Sequence, residues 1–399
     1  MKTSPPRVLT INAGSSSIKF AVYRVGDPLL LELHGKMDRI GLEGTHLIFQ
    51  DQATDQQESL PMVAPDHAAA TQFLMQWLEE RQVFDSVKAV GHRMVHGMAH
   101  AEPALISTKL VGELHRITPY APNHLPQELG LFQALQSRHP ELPQVACFDT
   151  SFHCTMPRVA KMLPIPRRYE ALGVQRYGFH GLSYAYLMEE LVRLRDPAAT
   201  KGRVILAHLG NGASLAAVRD GESLDTSMSF TPSSGLVMGT RTGDIDPGLI
   251  HYLADAEGMT TAQFQHMANH ESGMLGISET SSDMRDLLEQ EATDVRSAEA
   301  VALFCYQAKK WIGAFSAVLD GLDTLVFSGG IGENLPQVRT RICQGLDFLG
   351  IELDEKRNAV SAGVITTESS RATVRVISTD EELMIARSVC RAIGLSTSK

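Results

Sequence analysis

Residues 204–246 read VILAHLGNGASLAAVRDGESLDTSMSFTPSSGLVMGTRTGDID. An apolar run over residues 204–209 is followed by Gly210-Asn211-Gly212, and a second apolar run then extends to Val218. Two apolar runs around a glycine-rich turn are typical of a β-hairpin. Because glycines leave the backbone N–H groups open to an incoming oxyanion, the turn is a candidate phosphate site. A hairpin turn without a ligand is the alternative.

The same stretch places Arg241 between Gly239 and Gly243. An arginine flanked by glycines can extend its guanidinium into a cleft and bind two phosphate oxygens at once. The stretch therefore combines two devices that hold phosphate, one of backbone and one of side chain.

The start of the chain repeats this pattern. Residues 8–11 read VLTI, residues 12–17 read NAGSSS, and residues 18–23 continue as an alternating strand. Placing Ser17 on Ser214 superposes the two segments with an offset of 197 residues in a chain of 399. A duplication of this long period predicts two related α/β domains that face each other across a nucleotide cleft.

Length and composition set limits on the class of protein. A chain of 399 residues is long enough for two domains with separate cores. A formal net charge of −10 argues against nucleic acid or an anionic membrane as a partner. No apolar run approaches the length of a membrane span, so we expect a soluble cytoplasmic protein. Five cysteines without C-x-x-C spacing indicate neither a disulfide framework nor a zinc site.

Two further strands are predicted to end in candidate functional residues. The apolar run 144–148 ends at Asp149, at the carboxyl end of a strand, where open α/β sheets place catalytic groups; a helix cap is the alternative. The apolar run 324–327 leads into a glycine turn over residues 328–334, with a helix expected from Pro336. Strand, glycine turn and helix together indicate an anion or nucleotide site, although the P-loop pattern is missing.

Local patterns predict other boundaries. The prolines between residues 119 and 126 predict a loop as far as Gln127, followed by a short helix over 129–136. The polar residues 51–59 predict a break after the early strands, and residues 383–393 a closing helix. His92, His96 and His100 are spaced by four, but the bounding glycines favour a strand and loop over a metal site.

Taken together, nine stretches in order along the chain resemble the acetate kinase family of the actin, Hsp70 and sugar-kinase superfold. The resemblance implies an α/β fold with two duplicated actin-like (ribonuclease H-like) domains around a nucleotide cleft. It implies an N-terminal domain of residues 1–150 with 383–399 and a C-terminal nucleotide-binding domain of residues 151–382. The stretches are INAGSSSIK (11–19), GHRMVHG (91–97), FDTSFHCTMP (148–157), RYGFHG (176–181), HLGNGAS (208–214), residues 225–232, MGTRTGDIDP (238–247), SGGIGEN (328–334) and EELMIAR (381–387).

The resemblance also implies the roles of individual residues. It places Asn12 and Glu381 near Mg²⁺, for which Mn²⁺ can substitute. The catalytic positions of the family match Arg93, Asp149, His180 and Arg241. The substrate-binding positions match Arg93, Val95, Asn123, Phe179 and Pro232. The residues expected around ATP or ADP are Lys19, His208, Leu209, Gly210, Asn211, Gly212, Asp283, Met284, Arg285, Gly330, Ile331, Gly332, Glu333 and Asn334.

The activity implied is reversible, direct in-line transfer of the γ-phosphoryl group of ATP to acetate, giving acetyl phosphate and ADP, by a homodimer. Propionate or another short-chain carboxylate is the alternative substrate. A nucleotide switch of the actin or Hsp70 kind is a remote alternative, disfavoured because a switch has no need for the four catalytic positions. The carboxylate substrate is already ionised at neutral pH, so we expect Asp149 to be an orienting acceptor and an outer-sphere magnesium partner rather than a base.

Three departures from the family pattern occur. Asn123 stands where the family has a leucine of the acyl pocket, which favours acetate over propionate; a shifted loop that brings Leu125 into that place is the alternative. Gly97-Met98 stands where the family has Gly-Gly, and Gly181-Leu182-Ser183-Tyr184 stands where it has Gly-Thr-Ser-His.

Overall fold

The computed structural model describes residues 5–14, 16–54, 56–122 and 124–395. Asn123, predicted to line the acyl pocket, lies outside the described residues. The strands are β1 (Arg7–Ala13), β2 (Ile18–Arg24), β3 (Leu30–Asp38), β4 (His46–Asp51), β5 (Gln56–Pro61), β6 (Val87–Met94), β7 (Ala104–Leu105), β8 (Gln144–Phe148), β9 (Arg203–Leu209), β10 (Ala213–Arg219), β11 (Glu222–Thr226), β12 (Thr324–Ser328) and β13 (Thr373–Val376).

The longest helix, α11 (Val295–Val318), lies in the second half of the chain. A π-helical turn, Met267–Glu271, follows the eighth helix directly. The α-helices are α1 (His67–Glu80), α2 (Thr108–Arg116), α3 (Leu125–Arg138), α4 (Arg158–Lys161), α5 (Gly181–Arg193), α6 (Ala198–Lys201), α7 (Gly248–Glu257), α8 (Thr261–His266), α9 (Gly273–Ser278), α10 (Met284–Gln290), α11 (Val295–Val318), α12 (Gly329–Asn334), α13 (Pro336–Cys343), α14 (Glu355–Ala359) and α15 (Glu381–Ile393).

The chain forms two compact units. The first comprises Met1–Ser151 and Asp380–Lys399, and the second comprises Phe152–Thr379. The chain therefore returns to its first unit at Asp380, so that Glu381 and the whole of α15 belong with the N-terminal residues.

The sheet of the first unit has the strand order β5-β4-β3-β2-β1-β6-β8-β7. Its centre is the hairpin of β1 and β2, and β6 and β8 continue from β1 as parallel strands. The carboxyl ends of β1, β6 and β8 therefore meet at one edge of the sheet, where Asn12, Arg93 and Asp149 lie.

The sheet of the second unit has the order β11-β10-β9-β12-β13 and repeats the central five strands of the first. The hairpin of β9 and β10 corresponds to that of β1 and β2, and β12 and β13 continue from β9 as parallel strands. The duplication predicted from the 197-residue offset is confirmed, because both hairpins occur at the matching places.

Each sheet carries its own apolar core. In the first unit Trp77 of α1 packs edge-on against Phe20 and Phe49, with ring centroids 5.5 and 4.7 Å apart. Such aromatic pairs add roughly 0.5–1.5 kcal/mol to the burial of the rings. In the second unit Tyr184 of α5 and Val204 of β9 belong to one buried cluster.

Helix α15 approaches the first sheet at Gly91. A Cβ there would lie 2.4 Å from Cγ2 of Ile385 and 2.6 Å from Cγ2 of Val389, so only glycine admits the helix. This close contact fixes the start of α15 relative to β6, and so Glu381 relative to Arg93.

Four local predictions were wrong. The polar residues expected to break the first sheet form the edge strand β5, which is exposed and therefore polar. Helix α3 begins at Leu125, with Pro126 in its first turn, where a missing N–H is tolerated. The expected glycine turn is the short helix α12, and the closing helix begins at Glu381 instead of residue 383.

All five cysteines have free thiols. Among the helices of the described residues, none combines the length and apolarity needed to cross a membrane.

Candidate active site

Arg93 and Asp149 form a buried ion pair in the first unit. They come from the ends of the parallel neighbours β6 and β8. Arg93 donates to Oδ2 of Asp149 from Nη2 at 2.5 Å and from Nε at 3.1 Å, and from Nη1 to the carbonyl of Ala13 at 3.3 Å. A fork of this kind fixes the plane of the guanidinium, so Arg93 is held in one orientation.

Burial and neighbouring charges shift the pKa values of both members of this pair. Burial raises the pKa of Asp149 to about 6, although Arg93 acts in the opposite direction. Burial alone would lower the pKa of Arg93, but the carboxylates of Asp149, Glu381 and Glu128 raise it above its ordinary value. Oδ1 of Asp149 is buried and has no hydrogen-bond partner among the described residues. That oxygen is therefore free to accept from a bound molecule.

Glu128 of α3 is a third carboxyl group in this region, which the sequence did not single out. Its two oxygens accept from the backbone N–H of Val95 at 3.2 and 3.0 Å, and the side chain is buried. Burial raises its pKa to about 8, against the effect of Arg93. The sequence predicted a loop as far as Gln127 and a helix only from residue 129. It therefore gave no helical pattern that would place the side chain of Glu128 in the core.

The predicted metal residues lie together in the first unit. Nδ2 of Asn12, in β1, donates to Oε2 of Glu381 at 3.0 Å and to Oε1 of Glu382 at 3.2 Å. Burial raises the pKa of Glu382, Lys19 opposes this, and Glu381 adds to it. An amide carbonyl oxygen beside two crowded carboxylates suits a hard cation such as Mg²⁺, which binds oxygen ligands and keeps several waters. No cluster of three or more His, Cys, Asp or Glu side chains suited to a metal occurs among the described residues.

In the second unit, His180 and Arg241 lie beside the glycine turn after β9. A Cβ on Gly212 would lie 3.1 Å from Nη2 of Arg241 and 3.5 Å from Nε2 of His180. Both side chains therefore face the same small space, where a Cβ on Gly212 would make a tight contact with Arg241. Arg241 also donates from Nη1 to the carbonyl of Pro232 at 2.6 Å.

The backbone at His180 is strained. His180 has φ 61°, a left-handed conformation that a non-glycine residue adopts at a cost of about 1–3 kcal/mol. His153 supports the turn, since its Nε2 lies 3.1 Å from the carbonyl oxygen of Phe179. Strain of this kind is maintained where it places a functional side chain, and here it aims His180 at the space beside Gly212.

A cavity of about 580 Å³ in the second unit adjoins the same turn. Its volume falls in the range of small-molecule sites, roughly 300–1,000 Å³. Ser282 and Leu335 line it as well as predicted nucleotide residues. The predicted residues in its wall are Gly210, Asn211, Asp283, Met284, Arg285, Gly330, Ile331 and Asn334.

Other residues predicted to bind the nucleotide are buried or make contacts within their own unit. The carboxylate of Glu333 accepts from the N–H groups of Gly329 at 2.8 Å and Thr379 at 3.3 Å, so it caps α12. Leu209 is fully buried. Lys19 belongs to the first unit, where its Nζ lies 4.0 Å from Oε1 of Glu382.

The predicted acyl-pocket residues divide between the units. Val95 belongs to the first unit, and Phe179 and Pro232 belong to the second. Val95 and Phe179 are each only 1% exposed.

Comparison with known proteins gives one consistent result. The model of the acetokinase family matches residues 7–387. An acetate kinase of Oceanobacillus iheyensis is 40% identical over 98% of this chain and 99% of its own length. A propionate kinase of Citrobacter rodentium is 40% identical over 96% of each chain.

A solved structure agrees with the sequence relatives. The crystal structure of Porphyromonas gingivalis acetate kinase superposes with a TM-score of 0.87 at 35% identity, covering 97% of this chain and 100% of that one. The duplicated sheets, the matching strand order and the family model over almost the whole length agree with one another. This chain belongs to the acetokinase family.

Proposed function

We propose that this chain transfers the γ-phosphoryl group of ATP reversibly to acetate, giving acetyl phosphate and ADP. The observation that carries the proposal is the position of Arg241 and His180 beside Gly212, at the turn whose neighbours Gly210 and Asn211 line the nucleotide-sized cavity. A nucleotide-binding protein without phosphoryl transfer has no need for a cation and a hydrogen-bond donor at that point.

The chemistry requires stabilisation of charge more than proton transfer. A carboxylate oxygen of acetate forms a bond to the γ-phosphorus while the bond from that phosphorus to the bridging oxygen breaks, and ADP leaves with the electron pair. No proton is gained or lost, because acetate is already ionised at neutral pH. Negative charge spreads over the equatorial oxygens of the transferred group, so fixed cations and donors supply the catalysis.

Each predicted catalytic residue has a role that its contacts support. Arg241, held by the carbonyl of Pro232, neutralises phosphoryl oxygens, and His180 donates a hydrogen bond from Nε2. Arg93 neutralises further charge in a plane fixed by Asp149. Asp149 therefore acts as an orienting acceptor. We assign it no role as a base, because the reaction has no proton for it to remove.

Mg²⁺ is the proposed metal, with Mn²⁺ able to replace it. Asn12 and Glu381 would hold the ion, and the open Oδ1 of Asp149 would accept from its water. When bound, the ion neutralises phosphate charge during transfer. Removal of divalent metal with a chelator should abolish turnover, and activity that survives complete chelation would refute this assignment.

Acetate is the proposed acceptor, with propionate as the second candidate. An acetate kinase and a propionate kinase are both 40% identical to this chain, so overall similarity does not separate the two substrates. The acyl pocket must therefore discriminate between acetate and propionate. Asn123 offers an amide where a leucine side chain would pack against an added methylene.

Two wider features belong to the proposal. A homodimer is supported by α7, which has no buried residue and exposes Tyr252 by 65%. Light scattering coupled to size exclusion should give twice the mass of the chain, and the mass of a monomer would refute the homodimer.

The use of ATP supports a cytoplasmic location for the protein, and cell fractionation tests that location.

Hydroxylamine trapping tests the reaction directly. Protein, magnesium, ATP and a panel of short acids are incubated with hydroxylamine, which converts any acyl phosphate into a hydroxamate. Acetate should give acethydroxamate and ADP in equal amounts. Nucleotide hydrolysis without hydroxamate, for every acid, would contradict the proposal.

A further inference from the structure

Two buried hydroxyl groups connect the interior of the second unit to His180. Oγ of Ser214, in β10, lies 2.8 Å from Nδ1 of His180. The hydroxyl of Tyr184, in α5, lies 2.5 Å from the same Oγ. Tyr184 and Ser214 are both fully buried. The three side chains form one line of hydrogen bonds that ends on the side of the imidazole opposite to Nε2.

The direction of these hydrogen bonds follows from counting donors. Tyr184 carries one hydroxyl hydrogen, and the oxygen of Ser214 is its one acceptor among the described residues. Buried hydroxyl hydrogens almost always find an acceptor, so Tyr184 donates to Ser214. The backbone of His208 also bonds to the phenol and lowers its pKa, as a donor to the phenol oxygen does.

The hydroxyl hydrogen of Ser214 then has one remaining acceptor among the described residues. Its partners among the described residues are Tyr184 and His180, and Tyr184 is already the donor of the hydrogen bond that it shares with Ser214. Ser214 therefore donates to Nδ1 of His180. A neutral imidazole that accepts at Nδ1 carries its hydrogen at Nε2.

Nε2 is the nitrogen that faces the reacting groups. It lies next to the position of a Cβ on Gly212, on the same side as Nη2 of Arg241. The ring of His208 packs against His180 with centroids 4.4 Å apart, which restricts rotation of the imidazole. Burial raises the pKa of Tyr184 above its ordinary value, while Ser214 and His208 act in the opposite direction. The phenol therefore stays protonated at every pH at which the protein works.

We propose that Tyr184 and Ser214 are positioning residues that hold His180 as its Nε2–H tautomer and so make it a neutral hydrogen-bond donor to the transferred phosphoryl group. This inference rests on the proposed function for its consequence, although the tautomer itself can be read without activity. The alternative is that Tyr184 only fills the core, in which case its hydroxyl is dispensable.

The test compares the wild-type chain with Tyr184→Phe and Ser214→Ala. Tyr184→Phe keeps the ring in the core and removes the hydroxyl, so packing is preserved. Tyr186→Phe is the matched control, because Tyr186 lies on the same helix and packs against the same core. Histidine labelled with ¹⁵N is observed by long-range ¹H–¹⁵N correlation, and His180→Gln assigns the signal.

In the wild type, His180 should show a protonated Nε2 and an unprotonated Nδ1. Tyr184→Phe and Ser214→Ala should each populate the other tautomer, and Tyr186→Phe should leave the signal unchanged. Both relay variants should lower kcat by roughly tenfold, with KM for ATP within about twofold, because the donor matters most in the transition state. The double variant should lose little more than either single variant, as expected for groups that act in series.

A wild-type signal for Nδ1–H would overturn the inference. So would a Tyr184→Phe variant with unchanged tautomer and kcat. If Tyr184→Phe does not fold, Ser214→Ala carries the same two readouts. A wild type that forms no acyl phosphate would instead refute the proposed function, and the tautomer would still be measured.

Discussion

Arg241 is held in place by a backbone carbonyl. Its Nη1 donates to the carbonyl of Pro232, and its Nη2 lies beside Gly212. Arg93 is paired with Asp149. Because Nη2 of Arg241 and Nε2 of His180 face the same space beside Gly212, we expect the loss of Arg241 to act on kcat.

Replacing Arg241 with Ala should lower kcat by roughly 10²-fold or more, the scale of losing one pre-organised charge donor. Arg241→Lys should restore only part of the rate, because an ammonium lacks the planar fork. Steady-state kinetics with both substrates varied measures the effect. A variant with normal kcat and a changed KM alone would show that Arg241 binds the substrate equally well before and during transfer.

Asn123 sets the predicted acyl preference. A buried methylene is worth about 0.8 kcal/mol, and one methylene in a pocket discriminates by about 1–3 kcal/mol. Because an amide packs poorly on that methylene, propionate should be the poorer substrate. Asn123→Leu should raise kcat/KM for propionate relative to acetate. A ratio unchanged within about twofold, together with a change in Leu125→Ala, would assign the pocket to Leu125.

Glu128 should make stability depend on pH. Its pKa in the folded chain is about 8, above the ordinary 4.5, because it is buried. Between these values the folded chain holds a proton that the unfolded chain has released. The free energy of unfolding therefore falls as pH rises from about 4.5 to about 8, by up to roughly 1.4 kcal/mol per pH unit. Glu128→Gln keeps an acceptor for the N–H of Val95 and removes this loss.

The measurement is urea unfolding of the first unit in a Trp311→Phe background, so that the remaining Trp77 reports on the unit that contains Glu128. Relative to its parent, Glu128→Gln should gain stability steadily as pH rises through this range. Glu102→Gln, at an exposed position of the same unit, is the control and should follow the parent. Parallel curves for Glu128→Gln and its parent would show that Glu128 is ionised in the folded chain throughout.

At the scale of elements, the π-helical turn Met267–Glu271 supports the loop that carries Arg241. The carbonyl of Asn269 accepts from Oγ1 of Thr240 at 2.9 Å, and its Oδ1 accepts from the hydroxyl of Ser233. Asn269 thus ties together the residues next to Arg241 and those next to Pro232. π-Helical turns often occur at functional sites.

Asn269→Ala should therefore lower kcat/KM for acetate by roughly tenfold, since small displacements of a positioned group are costly. Thr260→Ala is the matched control. It removes the capping box at the start of α8, a loss of about 1 kcal/mol, without touching the Arg241 loop. If Asn269→Ala and Thr260→Ala have the same melting temperature and lose the same fraction of activity, the loss comes from lower stability. In that case the positioning role of Asn269 is wrong.

Elements with a strong local pattern could be predicted from the sequence, and those fixed by tertiary contacts could not. The hairpins around the glycine turns and the strand before Asp149 follow from apolar runs and turn residues. Helix α12 does not, because its glycines favour a turn. Buried Arg339 binds the carbonyls of Gly332 at 2.8 Å and Glu333 at 3.0 Å, which satisfies the end of this short helix. A fully buried arginine without a carboxylate has no signature in a local pattern.

The same distinction holds for the site. The sequence motifs predicted which residues carry the chemistry, and the structure groups Arg93 with Asp149 and His180 with Arg241 inside separate units. The sequence did not predict the buried position of Glu128 or the role proposed for Tyr184. An inward-facing polar group in the core looks like any other helical residue in the sequence.

At the scale of the whole molecule, duplication explains why one chain has two kinds of phosphate-handling turn. The central five strands of the two sheets have the same order and directions, but the groups at their carboxyl ends differ. The first unit presents Arg93, Asp149 and the proposed metal residues, and the second presents His180, Arg241 and the nucleotide-sized cavity. The two related units therefore present different groups at corresponding ends of their sheets.

We propose that a carboxylate oxygen of acetate forms the new bond to the phosphorus that comes from the γ-position of ATP. Acetate labelled with ¹⁸O in both oxygens, incubated with the protein, magnesium and ATP, tests this bond by ³¹P NMR. Attack by acetate predicts acetyl phosphate whose phosphorus signal is shifted by one ¹⁸O in the bridging position, together with an equal amount of ADP. An unshifted phosphorus signal from acetyl phosphate, or ADP accompanied only by inorganic phosphate, would contradict attack by acetate on phosphorus.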